Sequence, residues 1–432
     1  MHTRALLSIL LFLPLPFTTA LTTLPAFPGA EGFGRNAIGG RHGTVYTVTN
    51  LNDSGAGSLR DAVSQPDRIV VFAVGGLIQI TDRIVVSKRV SILGQTAPAD
   101  SGGVTVYGNG WSFSGADDVV VRYIRIRMGK SGTSGKDAIT IASGSNMIFD
   151  HLSVSWGRDE TFSISGSSPS PSNITIQNSI IAQGLQTHSC GGLIQTALGS
   201  GISLLRNLYI DNKTRNPKVK GTNEFVNNVV YNWGGGGAYI AGDSEAVSEV
   251  NVVGNYFVKG PDSSVDAFTR GNANFRGFVS GNWVDGDKDG SLNGKELPVN
   301  NASYGGMAVQ GSRFAYPGVA REMSAGEAVT YVGSYAGASL SRDQVDRRLV
   351  EELKSLGTMG ELISDENASP MAGPGVIAQG TKAVDSDGDG IPDEVETKMG
   401  WDAGRNDAME DKDGNGYVNV EDWANSLVPG TY

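Results

Sequence analysis

The sequence predicts an all-β fold built as a solenoid, and three observations carry that reading. Glycine is abundant, 60 of 432 residues, and helix-period patterns are scarce before about residue 320, a composition that favours short strands and many turns. Short apolar runs broken by Gly, Asn, Asp and Ser follow one another at Ile69–Phe72, Leu77–Ile80, Ile84–Val86, Val90–Leu93, Val104–Tyr107 and Val119–Ile126. From residue 145 a polar marker recurs between two apolar half-runs, at His151, Asn178, Asn207, Asn228, Asn255 and Asn282, with separations of 27, 29, 21, 27 and 27 residues. A fixed period of this size without helices is the mark of stacked coils, in which Asn side chains at a turn bond from coil to coil. A β-sandwich would also alternate, but without a marker at this period.

Met1-His2-Thr3-Arg4, the apolar run Ala5–Phe17 and the small-residue exit Thr18-Thr19-Ala20 read as a signal peptide over residues 1–20, and hence a secreted protein. The apolar run is too short to span a bilayer, so no membrane association is expected. Residues 27–64 open glycine-rich, continue into a strand at Val45–Val48 and a helical turn at 57–63, and predict an N-terminal cap over the exposed first coil. The coils then occupy a domain ending near residue 363. Helical signals come late: Ser324-x-x-Glu327 and Ser341-x-x-Gln344 are capping boxes, the second opening a helix with Val345, Leu349, Val350 and Leu353 on one face, ended by Gly357. Residues 364–384 read as a linker, and 385–432 as a small module.

One cysteine, Cys190, rules out an intramolecular disulfide. It reads as a small buried residue rather than a nucleophile paired with His188. A secreted chain without disulfides needs a large core, bound metal, or both. Three segments supply metal-ligand spacing. Asp285-Gly-Asp287-Lys-Asp289-Gly290-Ser291-Leu292-Asn293-Gly-Lys-Glu296 places oxygens, a turn glycine and a terminal Glu as a twelve-residue EF-hand loop does. Its flanks are strand-like, so it is expected as a calcium loop grafted between strands. A second loop offers Asp385, Asp387, Asp389, the Ile391 carbonyl, Asp393 and Glu396; a third offers Asp411, Asp413, Asn415, the Tyr417 carbonyl and Asp422, whose shorter arm weakens it. The last two form a tandem that resembles a dockerin-like calcium module. The alternative for all three is an acidic turn without metal.

Net charge is −11, which argues against nucleic acid as partner. A polyanionic substrate is compatible only if cations and a local Lys/Arg cluster reverse the field. Such a cluster stands at Asp211–Trp233, with Arg215-Asn216-Pro217-Lys218-Val219-Lys220. This Arg-x-Pro followed by a second basic residue resembles the pectate lyases of polysaccharide lyase family 1. The resemblance covers residues 27–360 and implies a right-handed parallel β-helix. It also implies calcium-dependent β-elimination on polygalacturonate or pectin, with unsaturated oligogalacturonate products, by a protein expected to be monomeric. The family usually has Arg where Lys220 stands; Lys keeps the charge but loses the two-pronged donor.

The resemblance assigns the general base to Arg215 and calcium ligands to Asp137, Asp159 and Glu160, from two coils preceding the Arg. Gly135 and Ser163 stand where the family often carries further Asp residues. It implies substrate contacts from Lys218 and Lys220, with His188 in place of a usual lysine. For Arg215 to act as a base, Lys218, Lys220 and calcium would have to lower its proton affinity. The plain alternative for the acids is polar turn residues on the coils. Asn52, Asn173, Asn212 and Asn301 open glycan acceptor sequences, and a glycan on Asn212 would crowd Arg215. A polygalacturonase is disfavoured by the absence of its usual signatures. A pectin lyase acting on methylated pectin is disfavoured by the acids at 137 and 159. A non-catalytic wall-binding β-helix is the remaining alternative.

Overall fold

A computed structural model describes residues 24–430; the predicted signal peptide lies outside the described residues. The short apolar runs become strands of three long sheets. Each coil contributes one strand to each sheet, and neighbours pair in parallel with residue-for-residue register, as in Met147↔Ile174 and Ile174↔Ile202. The exception is the hairpin Trp283–Asp285 against Lys295–Glu296, which is antiparallel and encloses the first predicted calcium loop. The fold is a right-handed parallel β-helix. Inward residues stack into one core running through the coils, with Val121, Phe149, Ile176, Leu204, Phe225 and Val252 among its members.

The polar markers hold the corner between the first and second sheets. Asn255 Oδ1 accepts the Asn228 amide N–H at 2.8 Å, and its Nδ2 donates to the Phe225 carbonyl and to Asn282 Oδ1, each at 2.8 Å. Asn207 and Asn228 repeat the pattern. Each side chain therefore pairs buried backbone groups that the corner would otherwise orphan. His151 and Asn178 do not belong to this ladder. They sit one residue earlier, at the left-handed corner position, with φ of 54° and 50°. Ser179 occupies the ladder position in its coil, its amide donating to Asn207 Oδ1. The irregular 29-residue step is thus a one-residue misregister of the markers. His151 stacks on Tyr123 and lies 2.9 Å from buried Asp150, a structural pair.

Two of the three sheets are covered outside. Helices Ala325–Tyr335 and Gln344–Lys354 pack Val332, Leu349 and Leu353 on Leu208, Ile210 and Val229 of the second sheet. The first helix has the capping box at Ser324 and Glu327. The second is capped by Asp343 rather than by Ser341. Burial explains the choice: Asp343 also receives Arg127 at 2.8 Å, beneath the helix start, where an aspartate satisfies both demands. Arg125 and Arg127 are 1% and 0% exposed, so this basic run is internal cement and not a polyanion site.

The first sheet is covered by two segments. Residues 26–40, expected to close the solenoid end, instead run lengthwise across its outer face. Gly40 N–H donates to Ser91, Gly34 N–H to Thr175 and Phe33 N–H to Ser203. The approach is so close that a Cβ on Gly34 would lie 2.1 Å from the Met147 carbonyl oxygen. Thr44–Val48 and the turn Leu59–Val63 do cap the core end, burying Leu59, Ala62 and Val63. The C-terminal segment folds back onto the early coils. Ile391, Val420 and Trp423 pack on Ile69, Val71 and Leu93, and Arg41 pairs with Glu421 at 2.7 Å in a buried contact. The connecting stretch is strapped down as well: Glu366 is buried under Tyr107, and Gly75 N–H donates to the Gln379 carbonyl. Among the described residues, no helix is long and apolar enough to cross a membrane.

Candidate active site

The third sheet is left with a polar outer face, on which Thr140, Leu193, Gln195, Lys218 and Lys220 are partly exposed. The candidate residues lie on the turns leading into its strands. Asp137 precedes Ile139–Ile141, Asp159 and Glu160 precede Phe162–Ser165, and Arg215 precedes Lys218–Lys220. Parallel bridges Glu160↔Cys190 and Cys190↔Thr214 stack these turns, so residues far apart in sequence become neighbours along the solenoid axis.

Ligand atoms of Asp137, Asp159 and Glu160 all lie within 4.8 Å of one another. Thr140 Oγ1 donates to Asp137 Oδ2 at 2.8 Å, and Arg83 donates to the Asp137 carbonyl at 2.7 Å and to Thr140 Oγ1 at 3.0 Å. Glu160 N–H donates to Asp137 Oδ1 at 3.3 Å, tying the two coils together. The Arg215 guanidinium meets Glu160 in an ion pair across the intervening Cys190 coil. His188 Nε2 stands 2.9 Å from Asp159 Oδ1, so this histidine belongs to the acid cluster's rim.

Gathering three acids with partial burial has an electrostatic cost that the protonation equilibria register. Burial pushes Glu160 up to about 8 even with Arg215 alongside, and Asp159 and Asp137 push the same way. Burial raises Asp137 also. Hard oxygen donors converging under mutual repulsion are the donor set for a divalent cation such as calcium. The residues present fit such an ion.

The chain's own groups raise the proton affinity of Arg215. Burial disfavours its charge, but Cys190, Glu160 and Asp159 outweigh that and raise its proton affinity. Glu160 is in direct contact with the guanidinium. Lys218 is the group whose affinity falls, through burial and the charges of Lys220 and Arg215. Arg215 adopts φ of 57°, in the left-handed region, which non-glycine residues enter at a cost and chiefly where surrounding contacts fix them. Those contacts are the Gly192 N–H donating to its carbonyl at 2.7 Å and the reciprocal side-chain bonds of Asn212 and Asn216 on either side. A Cβ on Gly191 would lie 2.6 Å from the Arg215 carbonyl oxygen, so glycine is required there. Asn212 is fully buried, bonded to Gly184 N–H and the Ile181 carbonyl, and its side chain is inaccessible to a glycan in the folded protein. Asn52, Asn173 and Asn301 are exposed.

Residues 102–279 match the family described as right-handed β-helix region. Over 416 residues the chain is 68% identical to a probable pectate lyase C of Aspergillus fumigatus, which covers 96% of this chain and 97% of that protein. A probable pectate lyase C of Aspergillus terreus is 66% identical over 426 residues, 99% of each chain. The chain belongs to the pectate lyase family. Solved pectate lyases share the fold at low identity. The thermostable pectate lyase PL 47 matches with a TM-score of 0.53 at 15% identity, covering 75% of this chain and 100% of that one. A Bacillus sp. N165 pectate lyase in complex with trigalacturonate matches with a TM-score of 0.51 at 16% identity, covering 73% and 100%.

In this pectate lyase family member, sequence reasoning missed Thr140, Arg83 and Gly191, while Cys190 is the small buried residue it was expected to be. Each missed residue acts through a neighbour on another coil or through a steric limit, and no local motif marks it. The calcium loops also divide. Asp385, Asp387 and Asp389 bring ligand atoms within 4.8 Å of one another, as do Asp389, Glu396 and Asp407, the last unpredicted. Glu396 is fully buried, with neither carboxylate oxygen hydrogen-bonded, and burial with Asp389 and Asp387 pushes it up to about 7. Asp393 is turned out of the set, accepting from Ser386 N–H at 2.7 Å and Ser386 Oγ at 2.6 Å. In the loops 285–296 and 411–422 the acids are spread; Asp289 caps Ser291 and Asn293, Glu296 is exposed, and Asp422 accepts from Asn415. Among the described residues, no three acids of those loops gather as in 385–396.

Proposed function

We propose that this member of the pectate lyase family is a secreted enzyme that cleaves polygalacturonate by calcium-dependent β-elimination, leaving 4,5-unsaturated ends. The supporting observation is the stacked set Asp137, Asp159 and Glu160 with Arg215 in contact, on the sheet whose outer face stays polar and accessible. Asp137, Asp159 and Glu160 would hold calcium, whose positive charge would favour the negative charge that develops beside a substrate carboxylate. Lys218 and Lys220 project from alternate positions of one strand onto the same outward face, with Val219 between them turned into the core. Their spacing along a strand, about 7 Å for two residues, suits carboxylates of an extended polyuronide. Arg215 is the residue proposed to take the C5 proton. It must lose its own proton first, and the surrounding acids oppose that in the bare site, so turnover is expected to favour alkaline pH. His188, beside Asp159, orients that ligand and reaches toward the sugar. The loops at 285–296, 385–396 and 411–422 would bind structural calcium.

The test is the ultraviolet absorbance of unsaturated uronide on polygalacturonate, with and without chelator, for the wild type and Arg215→Lys. Calcium-dependent product from the wild type and a loss of about 100-fold or more in the variant are expected. Reducing ends without unsaturated product would overturn the lyase reading in favour of hydrolysis. Near-normal turnover of Arg215→Lys would remove Arg215 from the mechanism.

A further inference from the structure

The C-terminal segment gathers three buried carboxylates that the twelve-residue spacing of 385–396 does not define. One oxygen each from Asp389, Glu396 and Asp407 lie within 4.8 Å of one another, and the three residues are 3%, 0% and 1% exposed. Ligands on opposite sides of one calcium ion stand about 5 Å apart, so these three can share an ion. Asp407 comes from outside the loop. Asp393, which the spacing nominates, accepts from Ser386 instead.

Glu396 sits on the short helix Asp393–Met399, and neither of its carboxylate oxygens has a hydrogen-bond partner among the described residues. Oδ2 of Asp387, which groups with Asp389 on the loop side, is in the same condition. A carboxylate buried without donors is costly and calls for a partner. The guanidinium of Arg405 reaches Asp407 at 3.2 Å, but it is half-exposed and shared with Glu410. Three carboxylates against one shared guanidinium leave a buried negative centre. Oxygens that converge on a common point shield one another from water, so their burial fits ligation of a hard cation rather than solvation.

Backbone donors fix the group. Asp389 Oδ1 accepts the Ile391 N–H at 2.9 Å, and its Oδ2 accepts the N–H groups of Asp407 at 3.0 Å and Ala408 at 2.8 Å. Asn419 Nδ2 donates to the Asp407 carbonyl at 2.9 Å. The two legs of the segment therefore meet at Asp389. Ile391 and Ala408, whose amides bind that carboxylate, both pack in the apolar cluster that contains Ile69, Val71 and Leu93 of the first sheet. A Cβ on Gly390 would lie 2.7 Å from Val45 and 3.1 Å from Val71, so the loop is pressed against the capping strand Thr44–Val48.

We propose that Asp389, Glu396 and Asp407 hold a calcium ion that acts as a clasp, joining the loop 385–396 to the turns at 402–408 and, through Ile391 and Ala408, holding the C-terminal segment on the first sheet. This clasp rests on the reading of 385–396 as a calcium loop, to which it adds a ligand from outside the loop and a mechanical role. Loss of the ion frees the segment and uncovers the apolar residues of the first sheet, while the acid–Arg215 site lies on another sheet.

The test strips the full protein of calcium with a chelator and returns calcium by calorimetric titration. Hydrogen exchange at residues 391 and 407–408 is read in calcium and in chelator. Calcium should protect those amides in the wild type. Asp407→Asn, which keeps the size and removes the charge, should weaken one calcium site by about tenfold or more, since even partners one step removed from a metal are worth that much. Glu396→Gln should weaken the same site, and the double variant should bind no more weakly than the weaker single one, because both changes act on one ion. Asp393→Asn should leave that site unchanged. Weakening by Glu396→Gln or Asp393→Asn with Asp407→Asn unaffected overturns the clasp and keeps the loop as a self-contained calcium site. Unaltered calcium binding in Glu396→Gln and Asp407→Asn alike removes the loop reading as well. If the variants do not fold, wild-type exchange decides: protection at 407–408 that ignores calcium overturns the clasp.

Discussion

Replacing Asp343 by alanine should cost the protein far more than a helix cap is worth, without touching the chemistry. Asp343 caps the helix Gln344–Lys354 by accepting the Asp346 N–H, and its carboxylate receives Arg127 at 2.8 and 2.9 Å. Its side chain is 1% exposed and that of Arg127 is 0% exposed, so neither charge is screened by water. Loss of the cap alone costs about 1 kcal/mol. Leaving a buried guanidinium short of its partner costs about 3–5 kcal/mol, and that contribution dominates because only the Asp346 carboxylate, at 3.0 Å, and the neutral Ser155 hydroxyl remain for Arg127. At about 2.1 cal/mol/K per residue, the roughly 400 ordered residues give an unfolding entropy near 0.85 kcal/mol/K. A loss of about 4 kcal/mol then lowers Tm by about 5 °C. Calorimetry measures this directly, beside initial rates on polygalacturonate at a temperature well below either transition, which should be unchanged because the helix covers the second sheet and the proposed active site is on the third. The double variant Arg127→Met/Asp343→Leu should recover more than half of the loss, since two apolar side chains replace two charges. A Tm drop under about 1 °C, or a double variant no better than Asp343→Ala, would refute the reasoning.

Three further expectations follow from other contacts. Asn255→Ala removes a ladder rung and orphans the Asn228 N–H and the Phe225 carbonyl; urea unfolding should show a loss of about 2–4 kcal/mol, and a loss below about 1 would mean the ladder is decorative. Burial alone would raise Asp150, but His151 and Arg122, with hydrogen bonds from His151 and Gln177, hold it well below the usual carboxylate range. Its folded value is depressed, so its contribution is complete above an unfolded pKa of about 3.9 and is lost as pH falls below that; the stability gap between wild type and Asp150→Asn should be largest near neutrality and shrink only in that acid window. Chelation should lower Tm through the loops, where each site stabilises by about 2.7 kcal/mol when free calcium is 100-fold over its dissociation constant. Glu396→Gln should shrink that calcium-dependent Tm shift with activity retained below the transition, whereas Asp159→Asn should abolish activity with Tm nearly unchanged, and the reverse pattern in either variant would sink the division into two calcium classes.

The sequence by itself determined what is periodic or local. Apolar runs at a coil-length period, with Asn207, Asn228, Asn255 and Asn282 between them, demand a solenoid, because every coil repeats the same inward and outward choice. The capping box at Ser324 and Glu327 and the cluster Asp385, Asp387 and Asp389 are legible for the same reason: their partners lie within a few residues, whereas Asp407, which joins Asp389 and Glu396, comes from outside that loop. Only the tertiary structure decided which sheet stays open, because covering is done by residues 26–40 and 385–426 from opposite ends of the chain. It also decided the fate of charge. Arg125 and Arg127 are sealed under a helix by Asp343, whereas Arg215 faces Glu160 from two coils away. The sign of the shift at Arg215 could not be read from Lys218 and Lys220 beside it in sequence, since stacking brings Glu160 into contact with it and Glu160 and Asp159 raise its proton affinity. Stacking sets distances between residues by coil number, about 4.8 Å per coil, and sequence separation says nothing of which turn of one coil will lie over which turn of the next.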